Sequence, residues 1–285
     1  MIVPNPKERS ARHSLSEAEF RFICKLVYDQ TGIVLDERKR EMLYRRLMRR
    51  IREIKLDSFS AYCDLLEAND ENELPQFINA ITTNLTSFFR EIHHFNYLRE
   101  QYLPKLINDA GNHRRLRIWS AGCSTGEEPY TIAITLMETM GAQLSGWDAK
   151  ILATDLDSDV VATGSAGIYR ADRIEDLSTE RQQKWFQCGK GNNAGYIKVN
   201  PKLRELITFK QLNLLHEWPM KGPFDIIFCR NVVIYFDKPT QAKLFSRYHG
   251  LLKPGGLLIL GHSENLNQNA HMFGHIGKTM FLKKG

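Results

Sequence analysis

From residue 15 to about residue 82 the apolar positions recur every three or four residues, the spacing of helices that bury one face. "SEAEFRFICKLVYDQTG" opens on a Ser16/Glu19 capping box and stops at Gly32. "DERKREMLYRRLMRRIREI" predicts a long helix capped by Asp36, with Leu43, Leu47, Ile51 and Ile54 as its buried stripe. "DSFSAYCDLLEAN" and "ENELPQFINAIT" continue the pattern, and no strand signal interrupts it. Residues 1–82 therefore predict a small all-helical domain. After residue 115 the pattern changes to short continuous apolar runs separated by helical stretches: "RLRIWSAG", "AKILATDLD", "LITFKQLNL", "FDIIFCRNV" and "GGLLILGHS", with "KTMFLKK" as one more strand. Such runs belong to a parallel sheet covered on both faces. Residues 116–285 predict a doubly wound, mostly parallel α/β domain. Residues 83–115 link the two and carry "NLTSFFREIHHF", too aromatic for a mere tether.

Composition adds a class and a compartment. A chain of 285 residues with 42% hydrophobic and 25% charged residues is ordinary for a soluble globular protein. The opening "MIVPNPKERSARHS" is too polar for a signal peptide and no apolar run approaches a membrane span, so a cytoplasmic protein is expected. The five cysteines contain no CxxC pair, which argues for reduced thiols over disulfides or a zinc site. The net charge of +6 is unevenly spread. Residues 38–55 hold nine basic residues against Glu41 and Glu53, while residues 56–89 hold six acids and no lysine or arginine. At about 100° per residue, Arg38, Arg45, Arg49 and Arg52 share a narrow arc opposite the leucines, with Arg46 and Arg50 flanking it. A face this one-sided suggests an anionic partner.

Ligands of open α/β sheets sit beyond the carboxyl ends of the strands, near the switch point. Five stretches should arrive there: "AGCSTGEE", Asp155 closing "ILATD", Asn213 in "QLNLL", "CRNVVIYF" and "GHSEN". In the first, Ala121, Gly122 and Gly126 let the backbone come close to a ligand, but the turn offers Glu127 and Glu128 and no basic residue. Glu127 reads as a first-turn residue favoured by the helix dipole, and Glu128, fixed by Pro129, as the better ligand candidate. A strand-end acid such as Asp155 suits a ribose diol. NAD would place its pyrophosphate against two carboxylates. S-adenosylmethionine has ribose and adenine but no phosphate, and its ammonium and sulfonium welcome acids. His93–His94 shows no third ligand at metal spacing, so no metal is expected.

"TTNLTSFFRE", "GCSTGEEPYTIA", "ATDLD", "FCRNVVIYF" and "LLKPGGLLILGHSE" together resemble the chemotaxis receptor methyltransferases, the CheR family, from about residue 15 to 283. The resemblance implies an S-adenosylmethionine-dependent enzyme of the class I methyltransferase fold that esterifies receptor glutamates and releases S-adenosylhomocysteine. It also implies an N-terminal helical domain and an inserted β-subdomain. It puts Asn84, Thr86 and Arg90 on the cofactor, Arg90 at the methionine carboxylate. Glu128 and Asp155 would bind the amino group or ribose, Asn213 and Leu214 would frame the adenine, and Arg230 and Asn231 would close the pocket. Tyr235 would stand at the point of transfer, with Arg230 orienting the incoming carboxylate; a core aromatic beside Phe236 is the alternative reading of Tyr235. Cys123 reads as filler.

A glutamate of pKa about 4.3 is already ionised at neutral pH, so the reaction needs alignment and no general base. The absence of a His/Asp or Cys/His constellation agrees with that chemistry. For the basic helix the resemblance implies glutamate-rich receptor helices as partner, docked by Arg38, Arg45, Arg46, Arg49, Arg50 and Arg52. The rival is RNA, which would make an RNA methyltransferase, although the helix supplies only Tyr44 for base stacking. A cofactor-binding regulator without catalysis is the third class. Residues 186–209, with a tip of Gly189, Gly191, Asn192, Asn193 and Gly195 followed by strand-like "YIKV", resemble the family's β-subdomain. In some members it holds a pentapeptide from the receptor C-terminus; here Lys198, Lys202 or Arg204 would meet its carboxylate.

Overall fold

The computed structural model describes residues 14–109, 111 and 113–284; the polar N-terminal stretch read above falls almost wholly outside them. The chain divides into two units, one of residues up to Thr83 together with Tyr235–Asp237, the other of Asn84–Ile234 and Lys238 onward.

The first unit is helical. Helix α1 (Glu17–Thr31) begins at the expected reciprocal box, with the Ser16 amide donating to Glu19 at 2.7 Å. It ends on left-handed Gly32, at φ 70°. Asp36 caps a single 3-10 turn, Glu37–Lys39, and only then does α2 (Arg40–Glu53) begin, so Arg38 lies outside the α-helix proper. Helices α3 (Phe59–Glu67) and α4 (Glu73–Ile81) complete a core of Phe20, Ile23, Leu43, Leu47, Phe59, Tyr62 and Phe77, all buried. The segment Tyr235–Asp237 belongs here through an antiparallel bridge of Phe236 to Ile33 and a bond from Tyr28 Oη to Asp237 at 2.8 Å.

The basic stripe divides in two. Arg45, Arg49 and Arg52 are exposed, as is Arg38 on its turn. Arg46 instead turns inward to cap α4, donating to the carbonyls of Ile81 and Thr82 at 2.7 and 2.6 Å. Arg50 pairs with the buried Glu73 at 2.7 Å, and Tyr62 donates to the same carboxylate at 2.7 Å. The periodicity expected these two arginines to flank an outward face; they are spent on the unit's own stability.

The second unit carries a seven-stranded sheet. Strands β1 (Arg115–Ala121), β2 (Asp148–Asp155), β6 (Ile207–Gln211), β7 (Phe224–Cys229) and β8 (Leu252–Leu260) are parallel, and β10 (Met280–Lys283) runs antiparallel between β8 and β9 (Phe273–Gly277). The order β6-β2-β1-β7-β8-β10-β9 puts the switch point between β1 and β7. The continuous apolar run of β7 is buried at every position, as a central strand covered on both faces requires. Helix α7 (Glu127–Met140) crosses between β1 and β2 and is buried along most of its length.

Residues 84–109 are no linker. Helices α5 (His93–Tyr97) and α6 (Leu103–Asp109), joined by a π-turn over Leu98–Tyr102, send Phe95, Leu98 and Leu103 into the same core as Phe88 and Phe89. The small second sheet is also larger than the sequence predicts. It orders β3 (Ile168–Arg170), β5 (Tyr196–Val199) and β4 (Phe186–Cys188), all antiparallel, while Ile207 onward returns to the main sheet. "YIKV" is thus a central strand, paired on both sides.

Candidate active site

The first βα turn is built by its backbone. After Ala121 the chain reverses at Gly122 (φ 100°), and the amides of Gly122 and Cys123 both donate to the Thr154 carbonyl, at 2.8 and 2.9 Å. A Cβ on Gly122 would stand 2.3 Å from Val232 Cγ2, so only glycine lets the β1 and β7 loops approach this closely. The Ser124 amide then donates to Asp155 Oδ2 at 2.7 Å, tying the β1 turn to the end of β2.

Asp155 is where the strand pattern expected it. Its second oxygen accepts the Asp157 amide at 3.1 Å. Burial pushes its carboxyl up to about 6 against these two amides, which favour the charged form. Asp157 caps α8 (Ser158–Ala166) through Oδ1 and accepts Asn84 Nδ2 at 2.8 Å through Oδ2. The Asn84 carbonyl in turn accepts Ser124 Oγ at 3.0 Å, so Asn84 lies against the turn.

The two glutamates of the turn have different tasks. Glu127 is fully buried, accepting Thr125 Oγ1 at 2.6 Å and pairing with Arg173. Glu128 reaches across the switch point: Ser120 Oγ on β1 donates to it at 2.7 Å and Arg230 Nη1 at 2.9 Å. Arg230, 3% exposed in its side chain, also donates to the Arg90 carbonyl and lies 3.6 Å from Glu91. Phe89 and Glu91, on either side of Arg90, have left-handed φ of 54° and 57°, a strained backbone that aims that carbonyl. Arg90's own guanidinium donates to the Leu85 carbonyl at 2.7 Å and has no carboxylate partner among the described residues. The Thr86 carbonyl accepts Arg173 Nη2 at 2.7 Å.

At the remaining strand ends, Asn213 Oδ1 accepts the Leu215 amide at 2.9 Å, and the Leu214 carbonyl accepts Arg247 at 2.6 Å. Asn231, left-handed at φ 58°, donates its amide to Glu264 at 2.9 Å. Glu264 is the residue that sequence reasoning passed over. Its carboxylate takes the amides of Asn231, Val232, Ile234 and Gly261, joining the loop after β7 to the loop after β8. Asn84, Glu128, Asp155, Arg230 and Asn231 are thus linked through the first βα turn and its neighbours. Tyr235 falls in the segment grouped with the helical unit, where its carbonyl accepts the Val34 amide at 2.9 Å.

The strand order, a glycine turn without basic residues and an acid closing β2 define a class I S-adenosylmethionine-dependent methyltransferase. Glu127 and Glu128 stand in the first turn of α7, its positive end, and Asp155 accepts two backbone amides at the end of β2. Residues 84–282 match the SAM-binding domain of the CheR methyltransferases, and residues 18–82 match their all-alpha domain. The chain is 45% identical over 276 residues to the chemotaxis protein methyltransferase of Salmonella typhimurium, covering 96% of this chain and 93% of the relative. It is 43% identical over 276 residues to the Escherichia coli protein of the same name, covering 96% and 93%. Chemotaxis protein methyltransferase 2 of Pseudomonas aeruginosa is 42% identical over 281 residues, covering 98% and 97%. The chain belongs to the CheR methyltransferase family.

Proposed function

We propose that the chain methylates glutamate side chains on the cytoplasmic helices of chemoreceptors, forming methyl esters. The observation that carries the reading, beside the family, is the buried guanidinium of Arg230 at the switch point, paired with Glu128 at 2.9 Å. S-adenosylmethionine, when bound, supplies an electrophilic methyl group. The chain's own work is to hold and align: Asp155 takes the ribose hydroxyls, Arg90 the methionine carboxylate, Asn84 and Thr86 support that end, and Asn213 and Leu214 frame the adenine. Arg230 and Asn231 close the pocket, with Arg230 orienting the glutamate. An ionised carboxylate needs no proton removed, so alignment and water exclusion suffice.

The cofactor half has a pH signature. Ribose hydroxyls donate best to an ionised Asp155, so cofactor affinity should fall as pH drops through about 6. Asp155→Asn should weaken binding by about 1.5–3 kcal/mol and flatten this dependence. Calorimetry with a wild-type affinity that stays level from about pH 5 to pH 7.5 would remove Asp155 from the ribose.

The substrate half rests on the exposed arginines. Replacing Arg45, Arg49 and Arg52 with Glu should abolish methylation of a receptor fragment and leave cofactor affinity unchanged. Surviving receptor methylation would sink the docking assignment. A receptor tail could pair at the free edge of β3 or β4, since β5 is already flanked. Shortening the Gly189–Gly195 tip should then slow methylation of tailed receptor and spare a tail-less fragment; equal slowing on both would exclude the tether. The RNA reading loses its one aromatic, because Tyr44 stacks on buried Phe59 with ring centroids 5.6 Å apart.

A further inference from the structure

The sequence shows two adjacent histidines and no third metal donor. The structure supplies one. Glu91, His93 and His94 bring a carboxylate oxygen and two ring nitrogens within 4.8 Å of one another. His94 is wholly buried, and its Nε2 lies 2.9 Å from the Lys278 carbonyl, which can only accept. The proton therefore sits on Nε2, and Nδ1 is left with a bare lone pair. That nitrogen has no hydrogen-bond partner, and neither has Glu91 Oε2, 3.7 Å away. A histidine fixed by a backbone carbonyl on one nitrogen, with the other free and facing a carboxylate, has the outer-shell arrangement of a metal ligand.

We propose that Glu91, His93 and His94 form a binding site for one divalent transition cation of the zinc class. Two donors each about 2.1 Å from an ion stand at most about 4.2 Å apart, so Glu91 Oε2 and His94 Nδ1 need almost no movement. His93 is partly exposed, and its ring nitrogen lies within 4.8 Å of both other donors. The exposed His262, whose Nδ1 stands 3.0 Å from Glu91 Oε1, holds the carboxylate's other oxygen and orients the group. The positive neighbour does not forbid the ion. Arg230 lies 3.6 Å from Glu91, but it is carried by Glu128 at 2.9 Å and by the Arg90 carbonyl, and keeps both when Glu91 turns to a metal. Occupancy would thus remove one of the partners of the guanidinium assigned to substrate, which makes the site a candidate for control by metal and not for catalysis.

Titration of the chelator-stripped full chain with Co2+, followed by Zn2+, tests the assignment without reference to activity. We expect one Co2+ per chain, visible d–d absorption of an N/O-ligated ion, and displacement by Zn2+. His93→Gln and Glu91→Gln should each weaken binding at least about tenfold. His93→Gln is the cleaner variant, since its side chain is neither fully buried nor in contact with Arg230. No saturable binding, or affinity unchanged in both variants, would overturn the site. So would a strong near-ultraviolet thiolate band, which would put the ion on a cysteine such as the exposed Cys188.

Discussion

Glu264→Gln is expected to cost about 2–5 kcal/mol of stability, although it removes only a charge and keeps the shape. Oε2 accepts the amides of Asn231 and Gly261 at 2.9 and 2.6 Å, and Oε1 those of Val232 and Ile234 at 2.9 and 3.4 Å. A glutamine offers one oxygen, so whichever way its amide turns, two backbone N–H groups face an NH2. Each unsatisfied donor costs about 1–3 kcal/mol. Burial pushes the Glu264 carboxyl above the usual range, and the same four amides pull it back, which is how a buried anion is retained here. The loops it joins carry Asn231 and follow directly on Arg230, so cofactor affinity and methyl transfer should fall with stability. Urea unfolding followed by calorimetry checks both; a variant as stable as the wild type would mean that the loops hold without this carboxylate.

What is legible in the sequence follows from where the information lies. The parallel strands are readable because a strand buried on both faces is apolar at nearly every position, as in "FDIIFC". The start and stop of α1 are readable because the capping box and the C-terminal glycine act over three residues. Two kinds of feature are not. Arg46 and Arg50 have the spacing of an outward face, and only the placement of α4 decides that their guanidinium groups cap it and neutralise Glu73. Ile168–Arg170 is too short to carry a pattern, so the sequence places the start of the small sheet at Phe186, one strand too late. In the site, Asp155 announces itself by ending a strand, whereas Glu264 sits in a loop and acts on amides 30 to 33 residues away and on Gly261. Nothing local distinguishes such an acid from a solvated one. Glu91 is hidden for a related reason: it stands at left-handed φ just before a helix, so no regular period relates it to both histidines, two and three residues on.

Arg230→Met should have the larger consequence for activity, and a second substitution separates its two roles. Removing the guanidinium leaves Glu128 without its cation inside the protein, beside Ser120, and takes Arg230 from Glu91 as well. Breaking a buried pair from one side typically costs about 3–5 kcal/mol, most of it the uncompensated charge left behind. Adding Glu128→Gln to the Arg230→Met variant removes that charge, and the amide still accepts from Ser120, so much of the lost stability should return. Methyl transfer should not return with it. If Arg230 orients the glutamate carboxylate, its loss removes a preorganised donor from the transition state, about 10²–10³ in rate. Unfolding curves and single-turnover rates on a receptor fragment, measured for the single and double variants, decide the matter. Activity that recovers in step with stability would show that Arg230 serves only to neutralise Glu128, and would leave the incoming carboxylate without its assigned partner.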